Sequence, residues 1–109
     1  MKEIYFGQIG RLKPDKRDEY CALHANTWPE VLEVIQKCHL TNYSIFEHDN
    51  IVFSYFEYSG ENYAEDMEIM EQSAAMQKWW TFTKPCFEKY AFSSASEFYH
   101  DMKCIFHCD

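Results

Sequence analysis

Tyr20 and His24 stand four residues apart in the stretch EYCALHANTWPE, residues 19–30. On a helix that spacing sets a phenol beside an imidazole. Imidazole is the side chain whose unperturbed pKa, about 6.5, lets it give and take protons near neutrality. Trp79 and Trp80 form a second candidate group. Neighbouring helical residues diverge by about 100°, so both rings serve one site only where their helix borders a cleft. Flat aromatic faces suit sugars, whose C–H bonds stack on them while phenol and indole tips hydrogen-bond the hydroxyls. Tyr43 adds a further phenol. The plainer reading is structural: Tyr20 and His24 pack at a helix–sheet boundary, and at least one tryptophan fills the core. Spacing alone favours that plainer reading. Together these residues imply an aromatic pocket with one histidine and several phenols, suited to a small, polar, uncharged ligand.

Other clusters promise less. The terminal run HDMKCIFHCD offers His100, Cys104, His107 and Cys108, all metal-binding types. In a strand Cys104 and Cys108 face one way and His107 the other, so no metal is expected there. No phosphate-binding loop, HExxH or GxSxG is present, and Gly7-Gln8-Ile9-Gly10 is too weak a match to imply nucleotide binding. Met67, Met70 and Met76 read as core filler.

The elements that must position these groups follow from periodicity. Ile4 to Leu12 reads as a strand, and Pro14-Asp15 as a turn into a helix from Lys16. Tyr20, Leu23, His24 and Thr27 mark its face, and Trp28-Pro29 divides it from a second helix, Glu30 to Cys38, with Val31, Val34 and Ile35 inward. Strands are expected at Thr41 to Glu47 and Ile51 to Tyr58, joined by a hairpin at His48-Asp49-Asn50. The second of these carries Phe53 and Tyr55 on one face and Val52, Phe56 and Tyr58 on the other, so the sheet is apolar on both sides. Asn62 with Glu65 caps a third helix, Ser73 opens a fourth, and Pro85 ends it. A serine-rich segment leads to a last strand over Met102 to Cys108. The order predicts an α+β, ferredoxin-like split βαβ domain with a four-stranded antiparallel sheet. Helices cover one face, and the bare aromatic face predicts a homodimer with facing sheets, a dimeric α/β barrel.

Composition bounds the function. The 109 residues make one domain, 1–109, with 47% hydrophobic and 18% aromatic residues. A net charge of −8, from 18 acidic and 10 basic side chains, argues against nucleic acid and anionic membrane as partners. No apolar run reaches the roughly 20 residues of a spanning helix, and Met1-Lys2-Glu3 leads straight into the strand pattern, so a cytoplasmic protein is expected. Five cysteines without secretory context read as reduced thiols, and Asn42-Tyr43-Ser44 carries no weight as a glycosylation site.

The blocks EYCALHANTWPEVLEVI, NYSIF, VFSYFEY, WWTFTKPC and DMKCIFH resemble, in order and spacing, the L-rhamnose mutarotase family. The resemblance implies a dimeric ferredoxin-like fold and an isomerase that interconverts the α and β anomers of L-rhamnose without cofactor. Carried over by residue, it makes His24 the proton donor and Tyr20, Tyr43, Trp79 and Trp80 the sugar-binding residues. Leu40 stands where a glycine is usual and Lys84 where an aspartate is common. Both departures are expected off the matched residues, with Lys84 at the pocket rim. Two other functions are compatible with such a fold: a haem-degrading or cofactor-independent monooxygenase using His24 as ligand or base, and a non-catalytic sugar-binding dimer.

Overall fold

The computed structural model describes residues 4–108. Residues 1–3 and 109, and with them the expectation attached to Met1-Lys2-Glu3, lie outside the described residues. Four strands and four helices alternate in the expected order: β1 (Ile4–Arg11), α1 (Arg17–Ala25), α2 (Pro29–Lys37), β2 (Leu40–His48), β3 (Ile51–Tyr58), α3 (Tyr63–Gln72), α4 (Ala74–Thr83) and β4 (His100–Met102). The sheet order is β2-β3-β1-β4, with every neighbouring pair antiparallel. This is the ferredoxin-like arrangement.

Local chemistry sets the boundaries. Asn62 accepts the Glu65 backbone N–H at 3.2 Å and Ser73 accepts that of Met76 at 3.3 Å, so each caps the helix it precedes. Pro29 occupies the first turn of α2, where its missing donor costs nothing. Pro85 stops α4 at a short 3-10 turn, Lys84–Cys86. Asp49 and Asn50 both take positive φ, 50° and 69°, giving the two-residue primed turn that matches strand twist.

The inner sheet face carries Val52, Ser54, Phe56 and Tyr58 of β3, all buried. Opposite them on β1 stand Gly10, Gln8, Phe6 and Ile4. One core cluster joins Val31, Cys38, Leu40, Phe56, Met70, Met76 and Trp79; a second joins Leu12, Tyr20, Val52, Cys86 and Phe87. Gly10 belongs under the second, since a Cβ there would meet Phe87 Cε2 at 2.6 Å. On the outer face Phe46 is 61% exposed and stacks on Phe53 at 6.3 Å.

The last strand differs from expectation. It spans only His100–Met102, paired with Ile9, Gln8 and Gly7, and residues 103–108 are exposed and irregular. A strand exists only where a partner accepts its hydrogen bonds. Among the described residues β4 has β1 on one side and no strand on the other, and its pairing with β1 ends at Gly7. Among the described residues, no helix is long and apolar enough to cross a membrane.

Candidate active site

A cavity of about 500 Å3 opens between the helices and the inner sheet face, within the usual range of about 300–1,000 Å3 for small-molecule sites. Its polar and aromatic lining comes from every layer: Gln8 of β1, His24 of α1, Tyr43 of β2, Tyr63 of α3, and Trp79 and Trp80 of α4. Methionines 67, 70 and 76 supply apolar wall.

The His24 side chain turns back along its own helix, and its Nδ1 lies 2.9 Å from the Tyr20 carbonyl oxygen. A carbonyl only accepts, so Nδ1 carries the proton and Nε2 keeps its lone pair. Burial lowers the His24 pKa below the ordinary 6.5, and the backbone bond opposes that only in part. At neutral pH the ring is therefore uncharged, a proton acceptor at Nε2. Tyr20 packs on one side of it, with ring centroids 4.3 Å apart, and Trp79 meets it edge-on at 5.3 Å.

Tyr20 itself does not line the cavity. It is 3% exposed, lies edge-on to Phe87, and shares a 2.7 Å hydrogen bond with the Tyr99 hydroxyl. Burial pushes both phenols well above their ordinary pKa, so both stay protonated. Tyr20 thus stands behind the histidine, holding it by carbonyl and ring.

Tyr43 reaches the cavity because β2 is irregular. The register shifts between Thr41 and Ser44, so Asn42 and Tyr43 together oppose one residue of β3. Asn42 takes φ 50°, which Asn tolerates better than most residues. The bulge reverses side-chain parity, so Leu40, Tyr43 and Ile45 all face inward. Tyr43 packs on Phe56 at 5.1 Å. The residue is 38% exposed, yet burial raises its pKa. A ring lining a cavity is open to a small molecule while crowded by protein. Beneath it Ser54 Oγ is fully buried and makes no well-formed hydrogen bond. The Tyr43 phenol comes near enough to feel that hydroxyl, which opposes the effect of burial.

A model of the L-rhamnose mutarotase family matches residues 5–108. The chain belongs to the L-rhamnose mutarotase family. An L-rhamnose mutarotase of Oceanobacillus iheyensis is 36% identical over 105 residues, 94% of this chain and 96% of the relative. One from Lactiplantibacillus plantarum is 32% identical over 108 residues, 97% and 99% of the two chains. The crystal structure of an L-rhamnose mutarotase from Formosa agariphila shares the fold, with a TM-score of 0.75 at 18% identity over 97% of this chain and 99% of that one. This mutarotase-family chain is accordingly a carbohydrate isomerase by family.

Within the mutarotase family framework, the tryptophan pair straddles a cleft. Trp79 is 5% exposed and meets Trp28 edge-on at 5.0 Å, while Trp80 is half-buried; both border the cavity. Of the two departures from the family pattern, Lys84 touches a matched residue, against expectation. Leu40, opposite Tyr58 on the inner face, lines the cavity. Lys84 Nζ sits 4.7 Å from the centre of the Trp80 ring. Three lining or supporting residues escaped the sequence reading. Gln8 donates from Nε2 to Asp101 Oδ1 at 2.7 Å, leaving its oxygen for a ligand. Its signal was a polar side chain at an inward position between Phe6 and Gly10. Tyr63 stacks on Phe6 at 4.9 Å. Tyr99 had no local signal at all. The C-terminal candidates diverge: His100 Nδ1 bonds Ser94 Oγ, His107 packs on Tyr5, and Cys104 reaches the Phe106 carbonyl. Among the described residues no three His, Cys, Asp or Glu side chains lie placed to hold a metal.

Proposed function

We propose that this chain interconverts the α and β anomers of L-rhamnose, or of a related 6-deoxyhexose, in the cavity around His24. The observation that carries the reading is the anchored, uncharged imidazole: Nδ1–H is committed to the Tyr20 carbonyl, so Nε2 is the free basic atom at a sugar-sized cavity. Tyr43, Trp79 and Trp80 bind the ring, and Gln8 offers an acceptor for a hydroxyl. Tyr20 acts on the sugar through His24, as a positioning residue.

Opening a pyranose moves two protons. Nε2 of His24 takes the proton of the anomeric hydroxyl as the bond from the anomeric carbon to the ring oxygen breaks, and the ring oxygen takes a proton. Tyr43, its phenol kept protonated by burial, gives that second proton. After rotation the ring oxygen attacks the other carbonyl face, its proton returns to Tyr43, and the imidazolium protonates the new anomeric oxygen. His24 is thereby the proton donor on closure and the acceptor on opening. A factor of about 10²–10⁴ is the usual contribution of positioned acid–base groups.

The working form is a homodimer. The outer face presents Phe46, Phe53 and Met102, and the tail adds Ile105 and Phe106, 90% and 81% exposed. An apolar surface of that kind is normally covered. Light scattering at micromolar concentration should give twice the chain mass. Saturation-transfer NMR of L-rhamnose tests the activity: His24→Asn should retain the fold and lose catalysed anomer exchange, and undiminished exchange would exclude the histidine's role.

A further inference from the structure

A second concavity of about 580 Å3 borders the sugar cavity at Trp80. Trp80 lines both spaces. Around the second one stand Lys13, Lys84 and Lys89, with no carboxylate among the described residues of its lining. In a chain of net charge −8 with only 10 basic residues, three ammonium groups around one groove run against the overall field.

The lysines come from separate parts of the chain, and backbone contacts bring them together. Lys13 follows β1, and its N–H donates to the Cys86 carbonyl at 2.8 Å, fixing it beside the turn that holds Lys84. Lys84 is held between two rings, its Nζ 4.7 Å from the centre of Trp80 and 5.0 Å from that of Phe98. Among the described residues, neither Lys13 nor Lys84 has a carboxylate within ion-pair distance; Lys89 pairs with Glu97 at 3.5 Å. A cation at the last turn of α4 complements the helix dipole, which accounts for Lys84 alone. It leaves the gathering of Lys13 and Lys89 unexplained. An ammonium is a compact charge with three donors, suited to a tetrahedral oxyanion.

We propose that this groove is an oxyanion subsite continuous with the sugar cavity, so that the chain accepts aldoses bearing a phosphate or sulfate monoester as well as the neutral sugar. The inference rests on the reading of the first cavity as a mutarotase site. Lys84 Nζ lies 4.7 Å from the centre of the ring that the two spaces share, and the ester must sit away from the anomeric oxygen, which mutarotation needs as a free hydroxyl.

The test compares anomer exchange of L-rhamnose with that of its 2-, 3- and 4-phosphates and 3-sulfate, using inorganic phosphate as the free anion. At least one monoester should show a KM about tenfold lower than L-rhamnose, equivalent to about 1.4 kcal/mol. Its advantage should shrink as salt rises. The ester-to-rhamnose ratio of kcat/KM, in which any change in the shared chemistry cancels, should fall toward one in both Lys13→Gln and Lys84→Gln. Exchange of L-rhamnose with no monoester preferred overturns the subsite and leaves the mutarotase reading standing. Saturable, Lys84-dependent binding of inorganic phosphate without any ester preference assigns the groove to a free anion and likewise overturns it. Absence of exchange with every sugar removes the mutarotase reading and this inference with it.

Discussion

Removing the Tyr99 hydroxyl tests whether the pair behind His24 holds the site together. Tyr20 is 3% exposed and its hydroxyl meets Tyr99 at 2.7 Å. Tyr99→Phe keeps the ring that lies edge-on to Phe87 at 5.0 Å and deletes only the oxygen. It leaves a buried hydroxyl unpaired on Tyr20, which costs about 1–3 kcal/mol. Tyr20→Phe leaves the unpaired group on half-buried Tyr99 and should likewise cost about 1–3 kcal/mol. The double variant leaves no orphan, so its loss should fall short of the sum of the singles by about 1–2 kcal/mol. Urea unfolding gives these differences directly, and for a domain near this size each kcal/mol shifts Tm by about 4–8 °C. Tyr99→Phe leaves the Tyr20 carbonyl on His24 untouched, so anomer exchange should fall far less than in His24→Asn. Strict additivity of the two single substitutions, or a Tyr99→Phe as stable as the parent, would refute the coupling.

Three further outcomes are expected. Because burial lowers the His24 pKa, its free base persists below pH 6.5, and the acid limb of kcat/KM should fall below that value. The sign for stability agrees: an unfolded histidine protonates first, so this group's contribution is present above about 6.5 and lost as pH falls toward the folded pKa. Trp79→Ala, in the core beside Trp28, should cost about 3–5 kcal/mol of stability, whereas Trp80→Ala should chiefly raise KM, separable by denaturation and anomer-exchange kinetics. A native thiol reagent should modify exposed Cys21 quickly and spare Cys38 and Cys86, both fully buried, the latter with its thiol pushed up to about 11 by burial and Glu19; rapid labelling of Cys86 would contradict the packing.

What the sequence disclosed was local. Asn62 and Ser73 announce their helices because a cap is satisfied within three residues, and Pro29 and Pro85 act on their own backbone. Strand alternation revealed that β3 is apolar on both faces. Ordered family-like blocks pointed to His24, Tyr43, Trp79 and Trp80, which the fold gathers around one cavity. Parity could not reveal the bulge at Asn42-Tyr43, because a one-residue register shift leaves no mark in the alternation of side chains. The Tyr20–Tyr99 bond spans 79 positions, beyond any periodicity. The extent of β4 depends on what lies beside it, and that information is not in the strand's own residues.

The shortness of β4 reaches into the chemistry. Its three residues are held by three register pairs, and the middle one joins Asp101 to Gln8. The same two side chains are hydrogen-bonded, so the outermost strand sets the direction in which a cavity amide points. Fraying of this edge would leave Gln8 free to turn, and anything that completes the edge would lock it. Sheet margin and the Gln8 amide are therefore one mechanical unit, and loosening the β4 edge should register first as altered sugar affinity, before any loss of fold.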